Sequence, residues 1–211
     1  MDYFILIGIM LTSCWLLIAK RLSTVISGFR YQSLFLFIAT VLAALNEGQP
    51  GLFVVAGLLL AVKVVLIPEF MLRIVKEIKT RDDLGLILNP QLSLIVGLLA
   101  TYAAWLFSQQ ITPAGAALTR GIVAVALAVV LIGMFLMVFR LKALVQVTGL
   151  LVMENGLFLL ATAVAGGMPF FVEIAVFFDV MVSVMILGVF IYRINRLFTH
   201  IDVDKLSNLR G

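Results

Sequence analysis

Long apolar runs separated by short polar stretches organise this chain: Tyr3 to Ala19, Gly28 to Leu45, Gly51 to Leu72, Leu92 to Phe107, Ile122 to Phe139, Val145 to Ala165 and Phe170 to Ile194. None alternates every second residue, and each is about 16 to 25 residues long, the reach of a helix across the ~30 Å hydrocarbon core of a bilayer. Lipid offers no partner to an exposed backbone amide, so a span is a helix or part of a closed barrel, and unbroken runs select the helix. The pattern predicts an all-α integral membrane protein with seven transmembrane helices.

Composition agrees. Of 211 residues, 64% are hydrophobic and 12% charged, against about 25% charged in soluble domains, and mean hydropathy is +1.22. The net charge of +4 is no nucleic-acid patch, because the Lys and Arg residues sit between the apolar runs and act there as orientation signals. An outside N-terminus puts Lys20, Arg21, Arg30, Arg73, Lys76, Lys79, Arg81, Arg140, Lys142, Arg193, Arg196, Lys205 and Arg210 in the cytoplasm and only Arg120 outside. That asymmetry predicts an N-out, C-in topology. Cys14 is the single cysteine, which excludes an internal disulfide and a cysteine-ligated cluster. The N-terminus opens with an acid and lacks a basic n-region and a small-residue cleavage site, so it reads as a retained helix.

Ionisable residues inside the runs are the candidate chemistry. A charge at mid-bilayer costs roughly 2.5 to 3.5 kcal/mol on insertion scales, yet Lys63, Glu154 and Asp179 all sit there. Lys63 is ten residues from Arg73, roughly 15 Å along a helix, too far for its stem to reach the surface. Glu154 and Asp179 are each nine residues inside their runs. Desolvation favours a neutral carboxyl and a nearby lysine restores the charged form, so each acid can exchange a proton near neutral pH. These three groups are read as one proton path, with Asn155, Glu173 and Glu69 as candidate accessory residues. Static alternatives stand beside that reading: Lys63 as a paired interhelical lock, Asn155 as interhelical glue, Glu173 as a headgroup contact, and Glu69 in an ordinary i,i+4 pair with Arg73. Pro68 is expected to kink its helix and free a carbonyl. Tyr31, Gln32 and Ser33 read as interfacial anchors at the start of the second span, and His200 as a solvated tail residue.

A repeat is visible. Arg21-Leu22 and Pro50 are separated by the same interval as Arg140-Leu141 and Pro169, which implies a parallel 3+1+3 arrangement. The units would be an N-terminal three-helix unit at 1–79, a linking helix with its loops at 80–117, and a C-terminal three-helix unit at 118–211. There is no phosphate-binding loop, no paired metal ligands and no nucleophile with a base. The chain is expected to be non-catalytic by itself and to hold no cofactor.

Met153-Glu154-Asn155-Gly156 in a span, a second acid one helix later and the tail HIDVDKLSNLRG together resemble component E of hydrogenase-4. That family supplies a membrane subunit of group 4 energy-converting [NiFe]-hydrogenases and formate hydrogenlyase. Residues 118–211 also resemble the three-helix K subunit of respiratory complex I. The resemblance implies a place in the cytoplasmic (inner) membrane of a bacterium or archaeon, between antiporter-like and quinone-site-like subunits and near a peripheral redox arm. It implies Glu154 and Asp179 as links in a lateral proton axis. Two departures matter: this chain has Gly149-Leu150-Leu151 where the K subunit has Gly-Leu-Glu, so its acid comes one turn later, and Asp179 replaces a longer Glu. The rival classes are a non-conducting assembly subunit that docks antiporter-like partners, and an autonomous transporter.

Overall fold

A computed structural model describes residues 3–48, 50–77, 88–112, 117–164 and 181–182. Every element among them is helical: α1 (Tyr3–Ile18), α2 (Leu22–Glu47), α3 (Pro50–Leu58), a π-helical segment (Leu59–Leu66), α4 (Ile67–Glu77), α5 (Pro90–Ile111), α6 (Ala117–Phe139) and α7 (Ala143–Val164). Five stretches are long and apolar enough to cross a membrane: Leu22–Asn46, Pro50–Lys76, Pro90–Ile111, Leu118–Phe139 and Ala143–Ala163. The apolar α1 has 16 residues, about 24 Å at the usual rise and short of the full hydrocarbon thickness. Of the seventh expected span, from Phe170 to Ile194, Met181 and Val182 are the described residues, both helical.

Local chemistry sets the breaks. Gly48 ends α2 in the left-handed region at φ 64, its N–H returning to Ala44 O at 3.0 Å, a conformation other residues adopt only with strain. Pro50 then opens α3 and Pro90 opens α5, at first-turn positions where the missing N–H has no intrahelical partner to lose. Thr112 closes α5, its N–H reaching Ser108 O at 3.1 Å and its hydroxyl the same oxygen at 2.6 Å.

The second helix corrects the sequence reading. It starts at Leu22 rather than Gly28, because nothing between Arg21 and Gly28 breaks a helix and Arg30 is accommodated within it. Gln32 therefore lies ten residues inside α2, about 15 Å from its start, and is buried along with Ser33.

Core packing joins α1 to α2, α5 and α6, while α2 packs on α3, the π segment, α4 and α7. The α6 and α7 backbones meet directly. A Cβ on Gly149 would lie 2.8 Å from Gly133 O and 2.9 Å from Met137 N, and one on Gly156 would lie 2.8 Å from Ala126 O. Small residues let membrane helices meet backbone to backbone, and these two glycines, seven positions apart, form one face of α7.

Arg140 follows α6 and is 1% exposed. Its Nη2 donates to Leu17 O at 2.7 Å, and its own carbonyl accepts from Gln146 Nε2 at 2.9 Å. Leu17 O is one of the last carbonyls of α1, which lack intrahelical donors and sit at the negative end of the helix dipole. Arg140, expected as a solvated orientation charge, thus ties the α6–α7 turn to the end of α1. Burial pushes its guanidinium below its ordinary value.

Candidate functional site

Lys63 projects from the π-helical segment and is 1% exposed. Pro68 explains the local widening: a proline ring clashes with the carbonyl four residues earlier, here Val64, and cannot donate to it. The preceding turns adopt the i→i−5 pattern, with Ile67 N–H reaching Val62 O. Such π stretches turn side chains away from the direction an α-helix would give and concentrate at functional positions.

On α7, the glycine face turned to α6 sets the rotation of the helix. With Gly156 against Ala126, Asn155 stands about 100° around the axis and turns toward α2 and the π segment. Lys63 Nζ donates to Asn155 Oδ1 at 2.8 Å, across 92 positions of sequence. Asn155 Nδ2 donates to Gln32 Oε1 at 3.2 Å and to Ser33 Oγ at 3.1 Å. Gln32 Nε2 donates to Ser13 Oγ at 2.7 Å, and the Ser13 hydroxyl donates to Ile9 O at 2.7 Å. Every donor in this chain points the same way, from the lysine toward the α1 backbone. The two amides have one orientation that satisfies the whole series, with an oxygen presented to Lys63.

Glu154 is the charged partner, its Oε2 lying 3.8 Å from Lys63 Nζ, and it is 4% exposed. That separation is an ion contact at the outer edge of the range rather than a hydrogen bond. Removing two charges from water costs several kcal/mol per ion, so such a pair persists only with further polar support. Asn155 supplies it to Lys63. Chemically, the arrangement sets the Lys63 ammonium beside the Glu154 carboxylate and the Asn155 amide oxygen.

Of the residues singled out from sequence, Lys63, Glu154 and Asn155 come together. Asp179 and Glu173 lie outside the described residues, as does His200. Glu69 makes the i,i+4 contact with Arg73, 3.9 Å between Oε1 and Nε, both side chains exposed, on an outward-facing groove with Gly57, Ala61 and Val65 while Lys63 is buried. Sequence reasoning missed Ser13, and it assigned Gln32 and Ser33 to the membrane surface. Polar residues inside apolar runs were the available signal, and the late start given to the second span concealed it. Among the described residues, no cluster of three or more His, Cys, Asp or Glu side chains could hold a metal ion.

These features define a multi-pass helical membrane protein with a charged site buried among its helices. The chain is 28% identical over 204 residues to the uncharacterized protein Rv0085 of Mycobacterium tuberculosis (strain ATCC 25618 / H37Rv), covering 96% of this chain and 93% of that protein. No family model and no solved structure matches it.

Proposed function

We propose that the chain is a membrane subunit of an energy-converting, hydrogenase-like complex, with seven spans, N-terminus out and C-terminus in, in the cytoplasmic membrane of a bacterium or archaeon. Lys63 and Glu154, continued by Asp179 one span later, carry protons or couple their movement to a redox module in other subunits. Antiporter-like and quinone-site-like subunits are its neighbours, and the chain contributes charge movement, not covalent chemistry. One observation carries this reading: two oppositely charged side chains, 91 positions apart in sequence, lie 3.8 Å from each other on apolar helices. Ionisable groups at such depth ordinarily mark ion or proton pathways.

The donor chain through Asn155, Gln32 and Ser13 favours a second reading, in which the same polar groups lock α1, α2, the π segment and α7 together. The two readings separate in the assembled complex. Glu154→Gln abolishes proton movement under the first reading while the subunit stays in the complex on a native gel. Under the second, the pair Lys63→Met and Glu154→Leu restores both assembly and pumping, because an apolar pair of similar volume can replace a static buried ion pair. Normal pumping in Glu154→Gln, or in the apolar pair, overturns the proton reading.

A further inference from the structure

A groove of about 380 Å³ opens between α1, α5 and α6, far from the donor chain in composition: Tyr3, Met10 and Cys14 line it from α1, Trp105 from α5, and Gly121 and Val125 from α6. Its accessible walls are apolar. Along α1 it runs from Tyr3 to Cys14, about 16 Å at the helical rise, close to the ~15 Å depth of one leaflet's hydrocarbon. Its floor is open because Gly121 has no side chain: a Cβ there would meet Leu6 Cδ1 at 3.9 Å, ordinary contact distance. Ala124 also lines the groove, and Arg120 stands one turn before it on the same face of α6. Arg120 also directly precedes Gly121, which lines the groove, and helical side chains tilt toward the N-terminus of their helix, so Arg120 belongs to the groove's α6 end. Its Nε donates to Thr112 Oγ1 at 3.2 Å, bridging the end of α5 to the start of α6.

We infer that this groove is a phospholipid site: one acyl chain lies along α1 between α5 and α6, and the phosphate meets Arg120. A slot with apolar walls, one leaflet deep and with a cation at its rim, matches both ends of such a molecule. An anionic headgroup gains further, since a cation near the surface is worth about 1 kcal/mol toward anionic lipid, roughly fivefold in occupancy. This inference does not depend on the proton reading.

The test is native mass spectrometry of the full chain released from nanodiscs holding equal parts dioleoylphosphatidylglycerol and dioleoylphosphatidylcholine, with circular dichroism to check that each variant keeps its helix content. The wild type retains one phospholipid, with the glycerol headgroup favoured about fivefold. Arg120→Gln keeps the lipid and loses the headgroup preference. Gly121→Phe, whose ring fills the slot, loses the retained lipid at unchanged helix content. Equal retention by the wild type and Gly121→Phe overturns the site, as does a retained isoprenoid in place of phospholipid. A headgroup preference that survives Arg120→Gln overturns the role given to the arginine.

Discussion

Separating Lys63 from Glu154 is more damaging than removing both. Breaking a buried pair at one end leaves an uncompensated charge, which costs about 3 to 5 kcal/mol, whereas replacing both partners with apolar residues is often neutral. Glu154→Leu alone is expected to lower the melting temperature of the detergent-purified protein sharply, and adding Lys63→Met is expected to recover most of the loss. Additive losses would show that the two residues do not share a site. Between α6 and α7, Arg140→Gln removes the guanidinium donor from Leu17 O and is expected to lower stability by about 2 kcal/mol, the range for a hydrogen bond to a charged group. Thermal melts followed by circular dichroism check both. The charged members of the site were legible from the sequence because a lysine and a glutamate deep in apolar runs contradict their surroundings. Gln32 was not, since neutral polar residues are common near helix ends and only the observed start of α2 puts it deep inside that helix; Ser13 was not, since a mid-helix serine ordinarily bonds back to its own backbone, as Ser13 does to Ile9 O.

At the level of elements, the α6–α7 contact orients the site. Gly156→Leu would drive a side chain into Ala126 O and Val130 N, each 2.8 Å from the position of its Cβ. Overpacking of this kind costs about 1 to 3 kcal/mol, and because it rotates or lifts α7, Asn155 is expected to lose its contact with Lys63. Double-mutant thermal melts test this: the coupling between Lys63→Met and Asn155→Leu measured in the otherwise native chain falls to near zero once Gly156→Leu is added. Helix existence was readable from the apolar runs, whereas their ends were not. Arg30 has the charge of a loop residue, yet a helix begun at Leu22 carries it without a break. The π segment was anticipated only as a disturbance near Pro68. Its extent depends on how several turns share the relief of one proline clash, which local pattern does not encode.

For the whole molecule, the arrangement links α1, α2, the π segment and α7 through a single lysine and the donor chain that leads from it, joining elements more than 100 positions apart in sequence. Periodicity can place residues at similar depth but not on facing sides of different helices; the meeting of Lys63 with Glu154 and Asn155 rested on depth alone until the helix rotations were known. Under the proposed function, Glu154 gains and loses a proton beside Lys63. Infrared difference spectroscopy of the assembled complex in native membranes, recorded across a redox cycle in H₂O and in D₂O, reads that event directly. The expected result is a carboxyl C=O band that shifts in D₂O, disappears in Glu154→Gln and persists in Glu69→Gln. A spectrum without such a band, or with one that survives Glu154→Gln unchanged, would contradict the account.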